Sequence, residues 1–200
     1  MLILGLTGGI ASGKSMVSEY IKKLGIPVVD ADVLSHQITQ KGEIGSQLIM
    51  HEFGEKYFSN GELDRKMLAK DIFCSAEKTK MLNALLHPVI KNEIDKYIAA
   101  YNNKNVPIMV LEAPLLIESG IYSMCDKVLL ITADKQIRIN RAMKRSKLSY
   151  EEVCARVGKQ MPDEQKKKLA NFVIDNSGEL KDTLANIDAL INSLLETVEE

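Results

Sequence analysis

The sequence is poor in the features that mark secreted, metal-held or membrane-spanning proteins. Its three cysteines, Cys74, Cys125 and Cys154, are odd in number, far apart and outside any C-x-x-C pair. That excludes a disulfide framework and a cysteine zinc site, and reads as reduced thiols in a cytoplasmic protein. The three histidines, His36, His51 and His87, have no metal-ligand spacing. Lysine plus arginine number 26 against 27 aspartates and glutamates, a formal charge of −1. With no basic excess, duplex nucleic acid is not expected as the main partner. No apolar run is long enough to span a bilayer, so no membrane partner is expected. The chain opens directly in a strand-like segment with no basic region, apolar core or cleavage site, so no signal peptide is expected. No repeat or low-complexity tract divides the chain. Hydrophobic residues at 46% over 200 positions suffice for one sizeable core, or one core with an inserted subdomain.

What the sequence does have is Gly8-Gly9-Ile10-Ala11-Ser12-Gly13-Lys14-Ser15, which fits G-x-x-x-x-G-K-[ST]. Gly8 and Gly13 lack a Cβ, so the backbone can turn its N–H groups toward a phosphate. Lys14 supplies a mobile cation for the β- and γ-phosphates, and Ser15 a hydroxyl for Mg²⁺. The setting agrees. The apolar run 2–7 reads as a strand, and Val17, Tyr20, Ile21 and Leu24 follow at helical spacing until Gly25. A helix opening at the loop favours an anion at its N-terminus. Strand, loop and helix together imply nucleoside triphosphate binding.

Residues 25–29 form a second short strand pattern, with Asp30-Ala31-Asp32 just past its carboxyl end, the edge where open α/β sheets bind ligands. In extended backbone the two carboxylates would point the same way. Asp32 could orient or deprotonate an attacking hydroxyl, or cap a helix starting at Val33; the residues leave both open. From 33 to 103 amphipathic helical patterns succeed one another, predicting a helical insertion suited to a second substrate. Asp64 is placed to cap a helix, and Pro88 fits the first turn of another. His87 by itself suits a buried, hydrogen-bonded histidine. Strand patterns resume at 106–111, followed by Glu112, and at 126–131, and a last one lies at 172–174. Alternating strands and helices predict parallel βαβ units.

A basic helix carries Arg138, Arg141 and Arg145 on one face, where guanidinium groups could stabilise charge in phosphoryl transfer. Ser149-Tyr150-Glu151-Glu152 has capping-box spacing and starts a further helix, so 137–170 suits a lid. Leu180, Leu184, Ile187, Leu190, Ile191 and Leu194 mark an amphipathic C-terminal helix.

Together these residues resemble the dephospho-coenzyme A kinase family, over nearly the whole chain. The matching stretches are 6–10 with the loop, 30–32, 60–65, 85–88, 114–118, Arg141 with Arg145, Arg156 with Gln160, and 173–176. The resemblance implies an α/β fold: a parallel five-stranded core of phosphate-loop kinase type, with an inserted helical substrate domain and a helical lid. The core would be 1–32, 104–136 and 171–200, the substrate subdomain 33–103, and the lid 137–170. It implies ATP and dephospho-coenzyme A as substrates, Mg²⁺ as cofactor, and a cytoplasmic monomer or weak oligomer. Asp32, Lys14, Arg141 and Arg145 would be catalytic, Asp32 as base for the ribose 3′-hydroxyl. ATP would meet Gly8, Gly9, Ala11, Ser12, Gly13, Lys14, Ser15, Met16, Arg141 and Asn176, the last near the adenine. Asp32, Arg65, His87 and Pro88 would hold the second substrate, and Ser15 the metal. The chain departs from the family pattern at Ala11, where glycine is usual, at Met16, where threonine is common, and at Asn171, where aspartate is usual. Another small-molecule or nucleoside monophosphate kinase is the alternative. A GTP switch is disfavoured: D-x-x-G occurs only at 175–178, and no N-K-x-D guanine reader appears.

Overall fold

The computed structural model describes residues 1–72, 74–146, 149–158 and 160–199. In chain order the elements are β1 (Leu2–Gly8), α1 (Lys14–Lys23), β2 (Val28–Asp30), α2 (Ala31–Ile38), α3 (Ile44–Phe53), β3 (Phe58–Ser59), β4 (Glu62–Leu63), α4 (Arg65–Ile72) and α5 (Ala76–Asn102). There follow β5 (Ile108–Glu112), β6 (Lys127–Thr132), α6 (Lys135–Ser146), α7 (Tyr150–Val157), α8 (Asp163–Lys167), β7 (Phe172–Asp175) and α9 (Leu180–Glu199). The chain divides into two compact units, one of 1–29 with 101–200 and the other of 30–100.

The first unit is built on a five-stranded parallel sheet of order β2-β5-β1-β6-β7. β1 is central, pairing Leu4 with Val110 on one side and with Lys127 on the other. Every residue of β5 is buried, as expected of a parallel strand covered on both faces. One face packs Leu4, Leu6, Val110, Leu129 and Ile131 against Val17 and Ile21 of α1 and Ile187, Ile191 and Leu194 of α9. Both helices bring these residues at i, i+4 spacing, which is why their apolar stripes meet the sheet. Truncating one of them, such as Ile187→Ala, removes about 2–5 kcal/mol of packing. On the same central strand a Cβ at Gly5 would lie 2.7 Å from Leu116 Cδ2 and 2.8 Å from Cys125 Sγ, so only glycine lets that layer close. Burial there pushes the Cys125 thiol up to about 12. Asn171 keeps its place beside the sheet: its Oδ1 accepts from the Val128 N–H at 2.8 Å, a bond that needs an acceptor and no charge.

The second unit is mostly helical, but it also holds an antiparallel hairpin of β3 and β4. The Asn60-Gly61 turn closes it, with φ of 52° and 78°, the left-handed pair that a two-residue hairpin needs. Asp64 caps α4 as expected, its Oδ1 accepting from Met67 N–H at 2.9 Å.

Two expectations are corrected here. The cap of α2 is Asp30, whose Oδ1 accepts from the N–H groups of Asp32 and Val33 at 2.8 and 3.2 Å. Helix therefore begins at Ala31, and Asp32 lies in its first turn, where the alternation of extended backbone no longer applies. Pro88 sits inside the 27-residue α5 and not at its start. A proline there removes the N–H that would reach the Ala84 carbonyl, and Ala84 is exposed, so water can replace it.

Candidate active site

The loop between β1 and α1 leaves the carboxyl end of the central strand, and its backbone is shaped by positive φ at Ala11 (58°) and Gly13 (100°). Ala11 takes a left-handed angle that costs an L-residue roughly 1–2 kcal/mol. In exchange Ile10 and Ala11 pack against the small cluster of Ile139, Ala142 and Val153. Gly13 has no alternative residue: a Cβ there would lie 2.0 Å from Asn176 Nδ2.

Within the loop, Ser12 N–H donates to Gly9 O at 3.1 Å, and Met16 and Val17 N–H to Gly13 O. Among the described residues the N–H groups of Ala11, Gly13, Lys14 and Ser15 meet no acceptor. Unpaired amides at a helix N-terminus form an anion cradle. Two further polar atoms point to a missing partner. Among the described residues, Ser12 Oγ and Arg141 Nη1 are buried without a hydrogen-bond partner.

Lys14 Nζ makes an ion pair with Glu112 at the end of β5, and Ser18 Oγ donates to the other carboxylate oxygen. The pair is largely shielded, with side-chain exposures of 12% and 5%. Ser15 is exposed. Met16 packs against the main core, so its side chain belongs to the sheet layer. Gly8 and Gly9 are buried, each hemmed by a side chain, Ser12 and Arg138 respectively.

The three arginines of α6 share a face but are graded in burial. Arg138 is 6% exposed, Arg141 half-buried and Arg145 exposed. Arg138 Nε donates to the Ile10 carbonyl at 3.0 Å and Nη1 to Asp163 Oδ2 at 2.6 Å. Ile10 N–H donates to Gln160 Oε1 at 2.8 Å. Nearby, the fully buried Lys166 pairs with Glu118 at 2.8 Å, and Glu118 also accepts from Met161 N–H. Ser149 and Glu152 form the expected capping box of α7. Asn176 is buried with both ends of its carboxamide used: Nδ2 donates to Ser12 O at 2.8 Å, and Oδ1 accepts from Thr183 at 3.0 Å.

The remaining sites lie in the second unit. Asp32 is exposed in the first turn of α2. Arg65 donates to His36 O at 2.8 Å and to Thr39 Oγ1 at 2.6 Å, lining a hollow of about 470 Å³ with His36, Gln40, Lys41 and Glu62. Burial lowers its guanidinium below the ordinary arginine value. His87 is half-buried and lines a different hollow, of about 600 Å³, with Cys74, Thr79, Lys80 and Asn83; Pro88 is exposed beside it. Sequence reasoning missed Thr183, Asp163 and Lys166 altogether. Gln160 and Glu118 stood in the matching stretches, but nothing in the sequence tells what they touch.

A parallel sheet whose central strand ends in an amide cradle, with a lysine and an arginine helix beside it, defines a phosphate-loop kinase. The family model described as Dephospho-CoA kinase matches residues 2–182. A dephospho-CoA kinase of Bacillus anthracis is 38% identical over 191 residues, 95% of this chain and 96% of its own length. Among solved structures, a protein of Thermus thermophilus superposes with a TM-score of 0.84 at 36% identity, covering 96% of this chain and 97% of its own. A dephospho-CoA kinase from Campylobacter jejuni gives 0.72 at 30% identity, with 98% of both chains covered. The chain belongs to the dephospho-CoA kinase family. Its activity is the ATP-dependent phosphorylation of dephospho-CoA, the last step of coenzyme A biosynthesis. Among the described residues no helix is long and apolar enough to cross a membrane.

Proposed function

We propose that the γ-phosphoryl group of ATP passes in line to the ribose 3′-hydroxyl of dephospho-CoA, with the roles divided between the two units as follows. The observation that supports the loop's role best is the set of unpaired amides at Ala11, Gly13, Lys14 and Ser15. They hold phosphate oxygens, and Lys14 exchanges its Glu112 partner for the β- and γ-phosphates. Gly8 and Gly9 give the loop its close approach to neighbouring side chains, and Ala11, Ser12 and Met16 complete the ATP-binding segment.

Arg141 and Arg145 stabilise the transferring group, Arg141 through the buried Nη1 that lacks a partner. Asn176 serves ATP through the Ser12 carbonyl, because its carboxamide is committed there. Asp32 orients the acceptor hydroxyl as its base, and Arg65, His87 and Pro88 belong to the dephospho-CoA site. The divisions proposed are core 1–32, 104–136 and 171–200, substrate subdomain 33–103, and lid 137–170. Mg²⁺, a hard cation, fits an oxygen donor there and would be held by the exposed Ser15 hydroxyl. When bound with the nucleotide it neutralises phosphate charge. The protein works in the cytoplasm, as a monomer or weak oligomer.

The test is ADP release from ATP and Mg²⁺ with dephospho-CoA, beside AMP, CMP and no acceptor. ADP formed only with dephospho-CoA, with a product heavier by one phosphate at the 3′ position, is the expected result. Turnover with a nucleoside monophosphate alone would move the second unit to another substrate.

A further inference from the structure

The tip of the phosphate loop is gripped by side chains from the segment 137–170. Ile10 offers one N–H and one carbonyl, and both are taken: the N–H by Gln160 at 2.8 Å and the carbonyl by Arg138 Nε at 3.0 Å. The Arg138 guanidinium is itself fixed by Asp163 at 2.6 Å, with side-chain exposures of 7% and 22%. Its other edge lies flat on Gly9, where a Cβ would come within 2.1 Å of Nη2. The Ile10 side chain enters the cluster of Ile139, Ala142 and Val153 between α6 and α7. Asp163 begins α8, whose Lys166 is locked to Glu118, and Glu118 also receives Met161 N–H. The Arg138 end of the grip is thus held by Asp163, and the segment that carries Gln160 is tied down through Met161 and Lys166 to Glu118.

We propose that Arg138, Asp163 and Gln160 are positioning residues that set the phosphate loop for ATP by clamping the two peptide groups that flank Ile10. The physical reason lies in the loop's geometry. Its cradle amides follow directly on Ile10, so rotation of the Ile10–Ala11 peptide turns the Ala11 N–H away from the phosphate. Arg138 holds the carbonyl of that peptide, and Gln160 holds the N–H of the Gly9–Ile10 peptide before it, so rotation is opposed from both sides of Ile10 before ATP binds. Arginine suits the task because its planar fork can donate to the carbonyl and the carboxylate together; lysine, a single donor point, cannot hold both in fixed geometry. Because the clamp and the apolar cluster come from α6, α7 and the start of α8, displacement of those helices carries the loop tip with it.

The proposal rests on the phosphate-loop role given above, so its test includes Lys14→Ala. Arg138→Lys, Asp163→Asn, the double variant and Gly9→Ala, which pushes Arg138 from the opposite side, are compared by steady-state kinetics and by ATP titration without acceptor. The readings are made well below each melting temperature. The expected result is a kcat lower by about 10- to 100-fold and weaker ATP binding, with KM for dephospho-CoA unchanged. The double variant should lose little beyond Arg138→Lys, since the two residues act as one unit. A lower melting temperature with wild-type kcat and ATP affinity in all the clamp variants, while Lys14→Ala is inactive, would make the clamp merely structural and overturn the proposal. Unchanged ATP binding in Lys14→Ala would instead overturn the loop's role itself. Should Arg138→Lys fail to fold, Asp163→Asn and Gly9→Ala decide by the same kinetic signature.

Discussion

Asn176 and Ser12 stand 164 residues apart, yet the Asn176 side chain donates from Nδ2 to the Ser12 carbonyl at 2.8 Å. The same amide nitrogen occupies the space a Cβ on Gly13 would need, and Thr183 holds its other end. The loop is therefore shaped from beneath by the strand β7 and the helix that follows it.

Asn176→Asp keeps the shape and removes the donor, leaving a carboxylate facing a carbonyl. The expected loss is about 1–3 kcal/mol of stability, together with weaker ATP binding. Urea unfolding and an ATP titration check both, and an unchanged titration would show that the bond does not support the cradle.

Asp32→Asn should lower kcat by about 10²- to 10⁴-fold, the usual contribution of a general base, while ATP binding stays close to wild type. Steady-state kinetics with both substrates separate the two effects. Equal kinetics in the variant would remove Asp32 from the chemistry.

Glu112→Gln leaves the Lys14 ammonium in a shielded place without its counter-charge. Breaking such a pair from one side is expected to cost about 3 kcal/mol. ATP phosphates can replace the carboxylate, so ATP should raise the urea midpoint of the variant more than that of the wild type. An equal rise in both would mean that Lys14 keeps no contact with the bound nucleotide.

Tyr57 and Lys78 hold the Asp71 carboxyl far below the usual carboxylate range, with the Tyr57 hydroxyl bond the larger cause. A lowered folded value stabilises the protein above the unfolded carboxylate pKa of about 3.9, and that support is lost as pH falls. Tyr57→Phe removes the larger cause at neutral pH. Urea midpoints of wild type and variant should therefore differ at pH 7, and the gap should begin to close only below about pH 4 and shrink further as pH falls. A constant gap would mean that the hydroxyl supports the fold independently of the charge on Asp71.

Much of the fold was legible because it depends on near neighbours in the chain. The glycines and Lys14 announce the loop, and Ser149 with Glu152 announces a helix start. The apolar runs ending at Leu111 and Ile131 announce buried strands. Local rules erred where two of them competed. Asp30 and Asp32 both precede a helical pattern, and the cap fell to the first because β2 ends there. Proline usually opens a helix, but α5 carries Pro88 in mid-course, where the residue whose carbonyl it orphans, Ala84, is exposed.

The amino-acid sequence by itself determined the phosphate loop, the alternation of strands and helices around the parallel sheet, and the family; the β3–β4 hairpin in the second unit it did not announce. Each feature it determined is written in residue types a few positions apart, where backbone sterics and side-chain periodicity act. Only the tertiary structure decided what shapes the loop: Asn176 beneath it, Glu112 on Lys14, and Arg138 with Gln160 at its tip. Those partners lie far along the chain, and the strand order β2-β5-β1-β6-β7, which runs out of sequence order, is what brings their segments to one edge of the sheet. A hydrogen bond has no sequence signature when its two ends meet only after the sheet has formed.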